Sequence, residues 1–325
     1  MPSARAYARV ALSAVGAVDL ARRLRRHSLV ICCYHGVRED EDIDATHYLQ
    51  LPSSAFRAQL KYLETNYECL GIEDAVVRLR EGGFSRPTVA ITFDDGYRNN
   101  LSVALPILRE LGIPATVYVA TGIIGTTQQL WTTELEYALR QSGERELRLP
   151  ENIPGIPVRL RSSNAASAAL ISALKTVPRA IRVAVLDSLR GQLERPSIPS
   201  AFEFMTWNDV TALDQTGLVR VGAHTVHHEI LSRLPEEAVE MEIVDSIAMV
   251  ARHVTHPSTT FAYPNGRSED IGERAVAAVA ASGCDAALST IIGFNDAGTN
   301  PFLLKRVVVG AFEHPAVFRA RLSGL

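Results

Sequence analysis

Seven short apolar runs, separated by stretches with helical spacing, constrain this chain more than any other feature of its sequence. They fall at Leu29–Tyr34 (LVICCY), Thr88–Phe93 (TVAITF), 115–120 (ATVYVA), 218–223, 259–263, 285–290 and 304–309. Between them, Phe56, Leu60 and Leu63 recur at helical spacing across 53–66 behind a serine cap, and 100–111 is closed by Gly112 and Pro114. Two more helical patterns cover 235–253 and 269–282. Strands that are apolar throughout and alternate with helices form parallel sheets, because the crossover helices cover both faces. The expected class is therefore α/β with parallel strands. Residues 131–200 break the rhythm. A proline-rich loop at 150–157 is followed by helical patterns at about 165–175 and 179–194, which read as a helical insertion.

Composition narrows the function. With 33 Lys+Arg against 36 Asp+Glu the net charge is −3, which gives no electrostatic footprint for nucleic acid. A 47% hydrophobic content over 325 residues is that of a packed globular chain, and no run approaches the roughly 18 apolar residues of a membrane span. The four cysteines (Cys32, Cys33, Cys69, Cys284) show no metal or redox spacing and read as buried thiols in a reducing compartment. Residues 1–27 carry six arginines and one acid, Asp19, around an apolar stretch too short for a secretory signal. The expected organisation is a basic amphipathic N-terminal helix over 1–27 and a catalytic domain over 28–325 that contains the insertion. Residues 5–26 suit either packing on the body or peripheral contact with anionic lipid, so the expected location is cytoplasmic, either free or peripheral to the inner face of the membrane.

Three clusters at predicted strand ends carry the chemistry, where α/β folds collect their ligand-binding loops. The first is Thr92-Phe93-Asp94-Asp95-Gly96-Tyr97. Two adjacent acids behind a buried strand are costly unless each is paired or bound to a metal. The second is His224-Thr225-Val226-His227-His228, three of the chain's nine histidines. His224 and His228 are four apart, so one helical turn sets both imidazoles on one side, as a metal requires, and leaves His227 out. The third, Tyr263-Pro264-Asn265-Gly266, is turn chemistry by itself.

Taken together, TFDDGY, HTxxH and a strand ending in YPNG resemble the polysaccharide deacetylase family, carbohydrate esterase family four. The likeness extends to YHGV at 34–37, IPATVYVATG at 113–122, Met205-Thr206-Trp207 and Leu304–Val307. It implies a distorted (β/α) barrel of about seven strands and removal of an N-acyl group, chiefly acetyl, from a sugar in a polysaccharide, oligosaccharide or lipid-linked glycan. It also implies one divalent ion, commonly zinc, on Asp95, His224 and His228, a ligand set that leaves a position open for water. Asp94 is then the base, and the backbone N–H of Asn265 serves the oxyanion, with Tyr97 beside the substrate.

Two family residues are absent. The arginine that precedes the YPNG-type turn in the common pattern is replaced, and the C-terminal Leu-x-His that supplies the acid is missing. A branch acting on bacterial poly-N-acetylglucosamine carries its acid histidine in an N-terminal Tyr-His motif, and Tyr34-His35 resembles it, which assigns His35 as the acid. Arg306 is the candidate for the missing arginine and Arg98 the runner-up. Trp207 is expected in the core, and His253, His256 and His314 at the surface. The alternatives are a small amide or formamide hydrolase of the same fold, and a glycan-binding protein with impaired catalysis. The intact Asp94, Asp95, His224 and His228 argue against the latter.

Overall fold

The computed structural model of the chain describes residues 16–45, 47–150, 158–161 and 164–325. Eight strands make its main sheet: β1 Leu29–Tyr34, β2 Glu68–Leu70, β3 Thr88–Phe93, β4 Ala115–Val119, β5 Val219–Ala223, β6 Pro257–Ala262, β7 Ala286–Leu288 and β8 Val307–Val308. Every pairing is parallel, and seven strands run in the order β7-β6-β5-β4-β3-β1-β8. β2 stands off that path. It takes Thr88 to Ala90 on one edge of β3, and β4 takes Ile91 to Phe93. At the ends of the path the sheet curls round: Leu304, just before β8, bridges Leu288 of β7 and makes backbone bonds of 2.8 and 2.9 Å to Ser289 and Ala287. This is a distorted (β/α) barrel, as the resemblance implies.

Strand alternation sorts the core. Leu29, Ile31, Ala90, Tyr118, Ala262 and Leu288 form one cluster with Leu304. It joins strands from both ends of the path, as the inside of a closing barrel does. Their neighbours Val30, Ile91, Phe93, Val117, Val221 and Phe261 form the larger cluster under the helices. Gly222 is required inside, because a Cβ there would stand 2.6 Å from the Tyr118 ring.

Several expected boundaries shift. β2 is half-buried and has no apolar run to betray it. Of the strand expected at 304–309 only Val307–Val308 pairs with β1, because Leu304 before it bridges β7 and closes the barrel. The helix expected over 100–111 opens as a π-helical turn, Asn100–Ala104, and that over 269–282 breaks at Gly272. The 131–200 segment is not purely helical. Helices Trp131–Gln141, Asn164–Leu174 and Arg179–Arg190 surround an antiparallel hairpin, Glu146–Arg148 with Arg159–Arg161, over a separate core that includes Leu135, Leu147, Leu170 and Leu189. Residues 1–15 lie outside the described residues, so half of the 5–26 segment expected to meet lipid does too. The helix Ala17–Leu24 buries Val18, leaves Leu20 and Leu24 exposed, and bonds Asn66 through Arg22. Among the described residues no helix is long and apolar enough to cross a membrane.

Candidate active site

Parallel register sets the site. Tyr34 lies opposite Phe93, Phe93 opposite Val117, and Ala223 opposite both Val119 and Phe261. The chain therefore leaves β1, β3, β5 and β6 on one rim, at His35, Asp94, His224 and Tyr263. Among the described residues only four other than glycine have positive φ: Asp95 (76°), Thr225 (63°), His228 (55°) and Asn265 (56°). All four are on this rim. Such conformations are disfavoured for residues with a β-carbon and collect where function over-determines the backbone.

Asp94 and Arg306 are locked together. The guanidinium donates from Nη1 to Oδ1 at 2.7 Å and from Nη2 to Oδ2 at 2.6 Å, and its Nε donates to the Ser289 carbonyl at 2.7 Å. Arg306 is 0% exposed and Asp94 2%. Burial pushes the Asp94 carboxyl up, but the Arg306 charge and hydrogen bonds, together with His224 and His35, outweigh it and hold the group below the usual carboxylate range. Arg98, the other candidate, is at the surface against Glu203 and Asp209.

Asp95 has different company. Its Oδ1 is 3.2 Å from His228 Nε2 and 3.6 Å from His224 Nε2, and is buried without a hydrogen bond. The Nδ1 of His224 faces the Ala262 carbonyl at 2.7 Å; as donor there it leaves Nε2 bare toward Asp95. Burial lowers the His224 imidazole to about 4, so it is neutral, as a ligand must be. Burial raises the Asp95 carboxyl, but His228, then His35 and His224, bring it well below its ordinary value. One ligand atom from each of the three lies within 4.8 Å of the others. A bare buried carboxylate oxygen facing two imidazoles is a donor set that fits a divalent ion. The helical turn expected to align the histidines is absent; the positive-φ loop does it instead.

Cys33, His35 and Asp94 lie equally close to one another, but burial raises the Cys33 thiol well above its ordinary value. It is a protonated donor to Asp94 Oδ2 at 3.4 Å, not a thiolate ligand. His35 is half-buried and its Nδ1 is shut away without a hydrogen bond. Burial lowers its pKa, with the Asp95 and Asp94 carboxylates pulling the other way. Among the described residues the backbone N–H of Asn265 has no acceptor, and Thr290 grips the turn through the Asn265 carbonyl. Tyr97, expected beside the substrate, is 0% exposed and stacked on Phe204, so it floors the site and does not line it. Trp207, expected in the core, is half-buried and stacked on His253, which is therefore no free surface residue; His256 and His314 are exposed.

Three supports were invisible in the sequence. Glu242, on helix Glu236–His253, accepts from the N–H groups of Val226 and His227 at 2.9 and 2.8 Å and meets His227 Nδ1 at 2.6 Å. Asn100 donates to the His35 carbonyl at 2.7 Å. From the insertion, Lys175 comes close enough for its ammonium, lowered by burial, to feel Asp270 and Asp95.

The sequence profile of the polysaccharide deacetylase family matches residues 81–147 and 165–286, more than half of the chain. The chain belongs to that family. It is 32% identical over 110 residues to YxkH of Bacillus subtilis (strain 168), assigned to the polysaccharide deacetylases; the match spans 33% of this chain and 37% of that protein. In fold, this family member is similar to the Streptococcus pyogenes deacetylase PplD, solved with acetate. The TM-score is 0.59 at 17% identity, over 91% of this chain and 99% of that one. IcaB from Ammonifex degensii gives 0.59 at 18% identity, over 92% and 98%.

Proposed function

We propose that this protein is a zinc-dependent hydrolase that removes an N-acyl group, acetyl foremost, from an amino sugar within a glycan. The observation that carries the reading is the unequal company of two adjacent carboxylates: Asp94 held by a guanidinium fork, Asp95 bare toward two imidazoles. Amide hydrolysis needs such a division, with a base on one side and a cation site on the other.

A divalent ion on Asp95, His224 and His228 supplies, when bound, a water activated near neutral pH and positive charge for the oxyanion. Asp94 takes the proton of the attacking water on a lone pair left free beside the fork, while Arg306 keeps it ionised and fixed in direction. The unengaged N–H of Asn265 donates to the oxygen that becomes anionic. His35, which offers a ring nitrogen within 4.8 Å of an Asp94 oxygen, receives the proton taken from the water and delivers it to the departing amine. Burial favours its neutral form at rest, and the two carboxylates raise its affinity for the proton it must carry.

The test is acetate release from N-acetylated sugar oligomers and lipid-linked sugars by zinc-loaded wild type, Asp94→Asn and His35→Ala. Release by wild type, lost in the first variant and strongly reduced in the second, supports the assignment. Stoichiometric zinc without any release means the substrate class is wrong.

A further inference from the structure

Glu229 follows the last site histidine and is itself only 8% exposed. Its side chain turns to the insertion. Arg179 Nε donates to Oε1 at 2.9 Å, and Arg182 Nη2 bonds Oε2. Both arginines sit on helix Arg179–Arg190. Arg182 is 2% exposed, with its guanidinium 5.3 Å from the Trp131 ring centre and its Nη1 without a hydrogen bond. A buried ion pair gains little net stability over an apolar pair of similar volume, because desolvating two charges offsets their attraction. What it supplies well is fixed geometry.

The place where geometry is needed is one residue away. His228 has φ 55° and Thr225 φ 63°, so the histidine loop is held against its own backbone preference. Glu242 grips the middle of that loop from the barrel side. Among the described residues, the ion pairs and hydrogen bonds of the Glu229 side chain come only from the insertion.

We propose that Arg182, assisted by Arg179, is a positioning residue for His228: by fixing Glu229 it sets the strained backbone beside it and makes the insertion part of the metal-binding apparatus. The proposal rests on the metal-site reading above. Outer partners of this kind tune a site through ligand orientation, and losing one typically costs 10–100-fold in metal affinity.

The experiment measures zinc affinity by competition with a chromophoric chelator, and the visible spectrum of the cobalt-substituted protein. It compares full-length wild type, Arg182→Lys, the double variant Arg182→Met/Glu229→Met, and Asp95→Ala as the no-site control. Lysine keeps the charge and loses the planar guanidinium that bonds Oε2 from Nη2 and lies against Trp131, so zinc affinity falls about 10-fold. The double variant leaves no unpaired buried charge at this position, so it folds, and its affinity falls by about 100-fold. Both change the cobalt spectrum while the far-ultraviolet circular dichroism stays that of wild type. Wild-type affinity and an unchanged cobalt spectrum in the folded double variant overturn the proposal, whether or not Arg182→Lys folds. A wild type that binds zinc no better than Asp95→Ala overturns the metal site and the clamp with it. Zinc binding that responds to the variants, in a protein that releases no acetate, upholds the clamp and rejects only the substrate reading.

Discussion

Asp94 and Asp95 are the same side chain at consecutive positions, yet the fold treats them as opposites. Asp94 points where Arg306 can take both its oxygens, and the φ of 76° at Asp95 swings the next carboxylate toward the histidines. Arg306→Ala leaves a buried, unpaired carboxylate and is expected to cost about 3–5 kcal/mol in urea unfolding. Arg306→Lys restores the charge without the fork, so most stability returns while turnover stays well below wild type. Asp94→Asn should lower kcat by about 10²–10⁴ and leave zinc affinity unchanged, because it removes the proposed base and spares the proposed ligands. Acid should weaken the metal-free protein through His224. Its pKa falls from 6.5 to about 4 on folding, so between those values the unfolded chain binds the extra proton. Stability present above pH 6.5 is lost as the pH falls toward 4, by about 3 kcal/mol for this one buried group. Urea midpoints of metal-free protein at pH 7, 5.5 and 4 check it; a flat series rejects a neutral buried His224. Asp94 and Asp95, both held below the usual carboxylate range, extend the same loss to lower pH.

Among the elements, the Pro264-Asn265-Gly266 turn shows how a backbone donor is built. Gly266 has φ 68°, and a Cβ there would meet the Thr290 nitrogen at 2.8 Å and the Tyr263 carbonyl at 3.0 Å. Gly266→Ala is therefore expected to displace the turn and the Asn265 N–H, lowering kcat by about 10²–10³, the effect of losing one oxyanion donor. Asn265→Gly keeps the N–H and suits a φ of 56°, so kcat should stay within a few-fold of wild type. If the two variants lose activity equally, the side chain of Asn265, not its backbone, does the work. These elements also mark what the sequence made legible. Strands such as TVAITF are apolar along their whole length and announce themselves; β2, three half-buried residues, does not. The insertion's hairpin, ELR against RLR, buries one leucine per strand, too little for a periodic signal. His224 and His228 were found by their spacing, although a loop and not a helical turn aligns them. Glu242 and Glu229 had no local signal, since their roles depend on partners 15 to 50 residues away.

For the molecule as a whole, barrel closure and the proposed catalytic base share one joint. Asn295 is 0% exposed and ties the end of the ring to its start. Its Nδ2 donates to the Lys305 carbonyl at 2.9 Å and its Oδ1 accepts from the Lys305 N–H at 2.8 Å, while its backbone pairs in both directions with Leu29 of β1. Arg306 is the next residue, and its own N–H is fixed to the Ile291 carbonyl at 3.0 Å. The guanidinium that reaches Asp94 therefore stands on the segment that closes the barrel between β7 and β8. Replacing Asn295 with Leu keeps an apolar volume there but takes the side-chain partners from the half-buried Lys305 N–H and carbonyl, a cost of up to about 1–3 kcal/mol for each such group. The expected result is a lower unfolding midpoint together with a fall in kcat, because the segment carrying Arg306 is no longer held in register. Zinc affinity should hardly change, since Asp95, His224 and His228 follow β3 and β5, strands inside the path and not at its closing ends. A matched cavity such as Leu79→Ala, in the barrel's interior cluster but on the helix Ile72–Arg80, should lower stability by a comparable amount and leave kcat intact. Equal losses of kcat in the two variants at equal losses of stability would mean that closure supports the fold alone and that Arg306 is held by its pairing with Asp94.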